Sequence, residues 1–197
     1  MKKVEVVVVF LTLCLLVPSA SAAQPRLITV RVLVDGTDDI GAIYQPLNAA
    51  FFTASNVFQQ FGIQFQIVEL AYGGWFAPSD NFDGPKALTR ISQMQFPKKV
   101  NIVVAFTTKK FFSDGEIEVD GITSVARKQF GGLATGKFAL IGIQYKFECV
   151  LIHELGHLFG ADHSSDPRSV MNAKEIKTLV FDQKSKEVIL ANLNRKF

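Results

Sequence analysis

HELGHLFGADH, residues 153–163, decides the fold. All three histidines of the 197-residue chain lie in these eleven positions. The surrounding ECVLIHELGHLFG (148–160) reads as a helix, with Glu148 near its start, where the helix dipole favours an acid. Residues four apart in a helix share one face, so His153 and His157 can aim two imidazoles at one point. Glu154 emerges about 100° further round, off that face but within reach of a water held at the same point. Gly160 ends the helix, because glycine takes the left-handed conformation at low cost, and the chain can return with His163. Three neutral imidazoles with one position left for water are the donor set of a catalytic zinc. A carboxylate beside that water can take its proton and pass it to a leaving amine. A helix that merely happens to carry histidines leaves the carboxylate, the turn glycine and the lack of histidine elsewhere unexplained.

His153, Glu154, His157, Gly160 and His163 fit H-E-x-x-H-x-x-G-x-x-H without a gap. This is the zinc signature of the metzincin metallopeptidases, and the chain resembles that clan. The clan has a methionine in a tight turn below the zinc. SVM (169–171) places Met171 there, as an apolar floor and not a ligand. HSSDPRSVM (163–171) is similar to the matrixin branch, which has serine after the third histidine where reprolysins usually have aspartate. The resemblance implies an α+β fold: a twisted mixed β-sheet packed with two helices plus the active-site helix, then a small C-terminal subdomain ending in a helix. It also implies zinc-dependent endopeptidase activity with Glu154 as general base and acid. The peptide or protein substrate would lie extended in a cleft beside an antiparallel edge strand, for which KFALIGIQ (137–144) or the stretch near it is the candidate.

The chain departs from its nearest patterns in several places. Asn172 and Ala173 stand where matrixins usually have tyrosine and proline, which leaves the rim of the specificity pocket open. The tyrosine that serves astacins and serralysins as an extra zinc ligand is absent, as are the extra cysteines that mark archaemetzincins. No cysteine-switch segment is expected before the first strand. Matrixins carry a structural zinc on further histidines; here all three are already assigned, so one zinc is expected.

At the other end, MKK, VEVVVVFLTLCLLV and PSASA have the order of a secretory signal, with cleavage expected after Ala22. The alternative is a retained anchor, but the apolar run is short against the roughly 20 residues of a span. The domain reading is a signal peptide over 1–22 and a single catalytic domain over 23–197, with an upper part 23–160 and a lower part 161–197. The product is expected to be secreted or extracytoplasmic. Losing Lys2, Lys3 and Glu5 with the leader leaves 19 basic and 17 acidic residues. That balance gives no electrostatic case for nucleic acid or an anionic membrane, and a monomer is expected. Cys14 goes with the leader. Cys149 then stands alone, which excludes an internal disulfide, and it reads as an apolar core residue and not a ligand.

Between the ends, RLITVRVLV (26–34), IQFQIVEL (63–70), VNIVVAF (100–106), GITSVA (121–126) and KFALIGIQ (137–144) read as strands. Residues 43–61, with apolar positions at helical spacing, and KALTRISQMQF (86–96) read as helices. FDQKSKEVILANLNRKF (181–197) reads as a last helix with Asp182 as N-cap. DGTDD, SDNFDG and SDGEIEVDG (113–121) read as acidic loops. They allow for calcium, but none has EF-hand spacing, and solvated turns are favoured. Trp75 and Phe76 mark either a binding surface or a satellite apolar cluster.

Two functions of another class compete with the peptidase. One is a catalytically silent binding protein that keeps the metzincin shell; intact Glu154 argues against it. The other is a zinc-storing or structural protein, against which the open fourth position argues.

Overall fold

The computed structural model describes residues 24–35, 40–72, 75, 82–119, 122–129, 131–143, 147–174 and 176–197. The leader, Phe76, most of DGTDD and the first half of SDNFDG lie outside them. The first strand, β1 (Arg26–Val34), lies inside the chain's main sheet, second from one edge. It pairs in parallel with β2 (Ile63–Tyr72) on one side and with β4 (Ile102–Thr107) on the other. Next to β4 lies β8 (Phe138–Gly142), also parallel, and β7 (Gly132–Thr135) closes the row as an antiparallel edge. The order is therefore β2-β1-β4-β8-β7.

The apolar runs that read as strands are continuous because both faces of this sheet are covered. Val30, Val32 and Val34 of β1, Ile102, Val104 and Phe106 of β4, and Ala139 and Ile141 of β8 enter one core, with helices α1 (Ile40–Phe58) and α3 (Phe147–Leu158). Leu33, Val103, Ala105 and Leu140, the alternate positions, enter a second core with α2 (Gly84–Ser92). A period of two thus divides each strand between two layers. Trp75 is buried in the second core, edge-on to Phe82, so the satellite-cluster reading holds for it.

The phenylalanines concentrate where the main core meets the C-terminal part. Phe58 at the end of α1 is fully buried and packs its ring against Phe61, Phe65, Phe159 and Phe181 at 5.1–5.7 Å. Such rings contribute about 0.5–1.5 kcal/mol per pair beyond their buried area. The cluster fixes the end of α3 and the start of the last helix, α4 (Gln183–Ala191), against the sheet layer. The C-terminal tail is held from the other end of the sequence. The Arg26 guanidinium donates to the carbonyls of Leu193 and Arg195 and lies over the Phe197 ring.

Helix ends follow the expected chemistry. α1 passes into a 3-10 turn at Gln59–Phe61 and stops at Gly62, whose φ is 67°. Asp83 caps α2 by accepting from the Lys86 amide, and Asp182 caps α4 by accepting from the Ser185 amide.

Two elements differ from expectation. SDGEIEV (113–119), the described part of SDGEIEVDG, is not a loop. It belongs to β5 (Phe111–Val119), which pairs antiparallel with β6 (Ile122–Gln129) and makes a small sheet with β3 (Phe82–Asp83). The alternation in EIEV is strand-like, but its acid content obscured the pattern. The stretch GLAT (132–135), which shows no strand pattern, is the antiparallel edge; KFALIG pairs antiparallel with it and runs parallel to β4 on its other side. Four residues with two small ones carry too little periodicity to be legible. Among the described residues no helix is long and apolar enough to cross a membrane.

Candidate metal centre

α3 presents Leu151, Ile152, Leu155 and Leu158 to the main core, which fixes its rotation. His153 and Glu154 are then buried as well, and His157 is half-buried. The Nε2 atoms of His153 and His157 stand 3.0 Å apart. His163 completes the group, its ring 5.3 Å from His153 and 4.7 Å from His157, centroid to centroid. One nitrogen of each of the three lies within 4.8 Å of the others.

The turn that brings His163 round is a Schellman motif. Gly160 has φ 89°, its amide donates to the His157 carbonyl, and the Ala161 amide donates to the Gly156 carbonyl. The same turn points the Ala161 carbonyl at His157, whose Nδ1 donates to it at 2.7 Å. His153 Nδ1 likewise donates to the Val170 carbonyl at 2.7 Å. With Nδ1 carrying the proton in both rings, both Nε2 lone pairs face the shared point. Burial pushes the His153 imidazole down to about 4, against the pull of the Val170 carbonyl and with help from His157 and His163. Burial lowers His157 too. Both rings are thus neutral at neutral pH, the form that binds metal.

The donors fit zinc. Zn–N bonds of about 2.0–2.1 Å in a tetrahedron place nitrogens about 3.3 Å apart. The pair on α3 is close to that already, and the third imidazole arrives from a different element. Cys149 lies half-buried on α3 and is not part of the cluster.

Met171 is fully buried in a tight turn, Ser169–Asn172, closed by the Asn172 amide on the Ser169 carbonyl. It sits under α3 at Gly156. A Cβ added to Gly156 would come 2.6 Å from Met171 Sδ and 3.0 Å from Phe181. Met171 and α3 therefore touch through a position with no side chain, between the two histidines. Gly156→Ala is expected to cost about 1–3 kcal/mol as an overpacked core site, read as a lower midpoint in urea. An unchanged midpoint would mean that the floor gives way freely.

Side chains hold the turn on both sides. Asn172, standing where tyrosine was expected in the matrixin pattern, donates from Nδ2 to the carbonyls of Ser164 and Asp166. The Ser164 amide donates to the Met171 carbonyl, so the chain after His163 lies along the turn. Ser169 Oγ donates to Asp182 Oδ2 at 2.6 Å and accepts from the Met171 amide. Burial works against ionisation of Asp182, but the hydrogen bonds from Ser169, Ser185 and Ser164 outweigh it and pull the carboxyl to about 2. The cap of α4 thus also anchors the turn whose Val170 carbonyl orients His153.

Glu154 points away from the histidine face toward β7, where it lies against Gly132. Burial raises its carboxyl to about 8, so it holds a proton near neutral pH; a cation at the three imidazoles would favour the carboxylate instead.

The histidines, Glu154, Gly160 and Met171 were all legible in the sequence. Gly132, Gly156 and the Ser169–Asp182 pair were not. Gly156 lies inside the histidine motif, but only the packing shows what it faces.

A twisted sheet with an antiparallel edge, a histidine helix, a glycine turn and a methionine floor together define a metzincin-type zinc peptidase. The family model described as metallo-peptidase family M12B, reprolysin-like, matches residues 45–164, and the chain belongs to that family. Its fold is similar to an archaemetzincin from Methanopyrus kandleri, at 15% identity and a TM-score of 0.63, covering 89% of this chain and 99% of that one. It is also similar to a zinc-dependent peptidase from Methanocorpusculum labreanum, at 16% identity and a TM-score of 0.52, covering 81% and 99%. No curated protein matches the chain by sequence.

Proposed function

We propose that the protein is an exported, monomeric zinc endopeptidase that cuts extended peptides internally. The observation that carries this reading is the pairing of two environments on one helix turn. His153 and His157 are held neutral with Nε2 free, while Glu154 is buried beside them. Zinc bound there would supply Lewis acidity and lower the pKa of its water toward about 7. The chain's own residues do the rest. His153, His157 and His163 would hold the ion, and the Val170 and Ala161 carbonyls fix the first two rings. Glu154 takes a proton on its carboxylate from the attacking water and returns it to the leaving amine.

β7 supports extended binding. It is the last strand of its sheet, it packs against α3, and its outer edge can pair with a peptide backbone. Ser164 after the third histidine supports a matrixin-like detail within the reprolysin-like family, with Asn172 in place of tyrosine giving a different pocket rim. Residues 1–22 support export, with the mature chain beginning at Ala23.

The test is cleavage of peptides with both termini blocked, by the purified 23–197 chain, with products read by mass. Internal cuts that a chelator abolishes are the expected result. Cleavage confined to peptides with a free terminus would replace the endopeptidase reading with an exopeptidase one. A folded protein that binds zinc and cuts nothing would favour the silent binding protein.

A further inference from the structure

Gly132 opens β7 where that strand crosses the active-site helix. A Cβ added there would lie 2.5 Å from Glu154 Oε1, 2.7 Å from Glu154 Cγ and 2.7 Å from Val150 Cγ1. Two of these three contacts are with carbons close to the helix and not with the tip of a flexible chain. The next glycine is looser: at Gly131 the nearest atom is Val150 Cγ2 at 3.3 Å. Nor is the strand free to retreat. Gly132 is in register with buried Ile141, and the Gly142 amide donates to the Gly131 carbonyl at 2.8 Å. On the other side Leu133 packs into the second core against Gly84. α3 is fixed equally, with Leu151, Ile152 and Leu155 fully buried. A side chain at 132 is therefore accommodated by displacing the side chains of Glu154 and Val150, and the Glu154 carboxyl is the group driven furthest from its place.

We propose that Gly132 is a positioning residue for Glu154. Its missing side chain lets the edge strand run close enough to α3 to form the wall against which the carboxylate is held. The strand that is proposed to align the substrate then also sets the place of the proton carrier. This rests on Glu154 carrying the proton, so the experiment reads the contact in two independent ways.

Gly132→Ala, Gly131→Ala, Glu154→Ala and the double variant Gly132→Ala/Glu154→Ala are compared in the 23–197 chain. Zinc content, thermal midpoint and, where peptide is cleaved, kcat and KM are measured. Gly132→Ala is expected to keep its zinc and to lose about 10²-fold in kcat, the scale of a 1 Å misplacement, with KM little changed. Gly131→Ala should stay near wild type. Gly132→Ala should also lower the midpoint, and that loss should shrink once Glu154 is truncated, because neighbouring side chains couple in a double-mutant cycle. If Gly132→Ala alone fails to fold, recovery of folding in the double variant carries the same meaning. An equal loss of midpoint in both backgrounds, or no recovery, would overturn the proposal, as would an unchanged kcat. The melting cycle does not depend on cleavage. A protein that cuts no peptide but shows the coupling would remove the peptidase reading and keep the Gly132–Glu154 contact.

Discussion

Glu154→Ala should fold, hold one zinc per chain and lose about 10²–10⁴-fold in peptide turnover, the usual contribution of general acid–base catalysis. The reason is its direction. His153 precedes it on α3 and faces the metal point, whereas Glu154 leaves the helix toward Gly132 of the edge strand. Truncation leaves all three imidazoles and the carbonyls behind two of them untouched. It also removes a buried carboxyl that burial holds up at about 8, and relief of that burial penalty offsets the cavity that truncation leaves. The sign is clear: with the folded pKa raised above the ordinary carboxyl value, the ionised form is disfavoured by folding. That penalty grows as pH rises from the ordinary value to about 8 and is absent in the alanine variant. Fluorogenic peptide turnover at matched zinc occupancy is the measurement. Turnover close to wild type would remove Glu154 from the mechanism, and loss of zinc would place it in the binding shell.

His163→Ala has the opposite profile. His163 is exposed and comes from beyond the helix, so its removal opens no core cavity. The chain has no other histidine to take its place. Zinc affinity should therefore fall by more than the about 10–100-fold that loss of an outer hydrogen-bond partner costs, with the apo fold intact. Competition with a chelating dye reads the affinity, and circular dichroism reads the fold. Unchanged affinity would mean that two histidines and some other donor hold the metal.

The contrast between these variants rests on features with unequal visibility in the sequence. The histidine cluster was legible because helical periodicity alone puts positions four apart on one face, and because histidine is confined to one segment. Gly160 was legible because a glycine between the second and third histidines has one obvious use, and its φ of 89° is that use. The strands of the main sheet were legible as β-branched runs. Their division between two cores was not, since a run buried on both faces has no polar alternation to show it. The antiparallel edge, four residues long, was hidden because its identity comes from its neighbour and not from its composition. Gly132 and Gly156 were hidden for a related reason. Each is defined by what a side chain would hit, Glu154 in one case and Met171 in the other, and those partners lie 22 and 15 positions away in sequence. The Ser169–Asp182 bond joins two residues that each read as local capping or turn chemistry, while their joint effect on His153 is tertiary.

The central claim is that one zinc on three histidines drives peptide hydrolysis. Stripping the 23–197 chain with a chelator and titrating zinc back while following hydrolysis of a single peptide tests it directly. Activity absent without metal, rising linearly and reaching its plateau at one zinc per chain is the expected result. Hydrolysis that persists in the stripped protein, a plateau at two zincs, or full zinc loading with no hydrolysis would contradict the account.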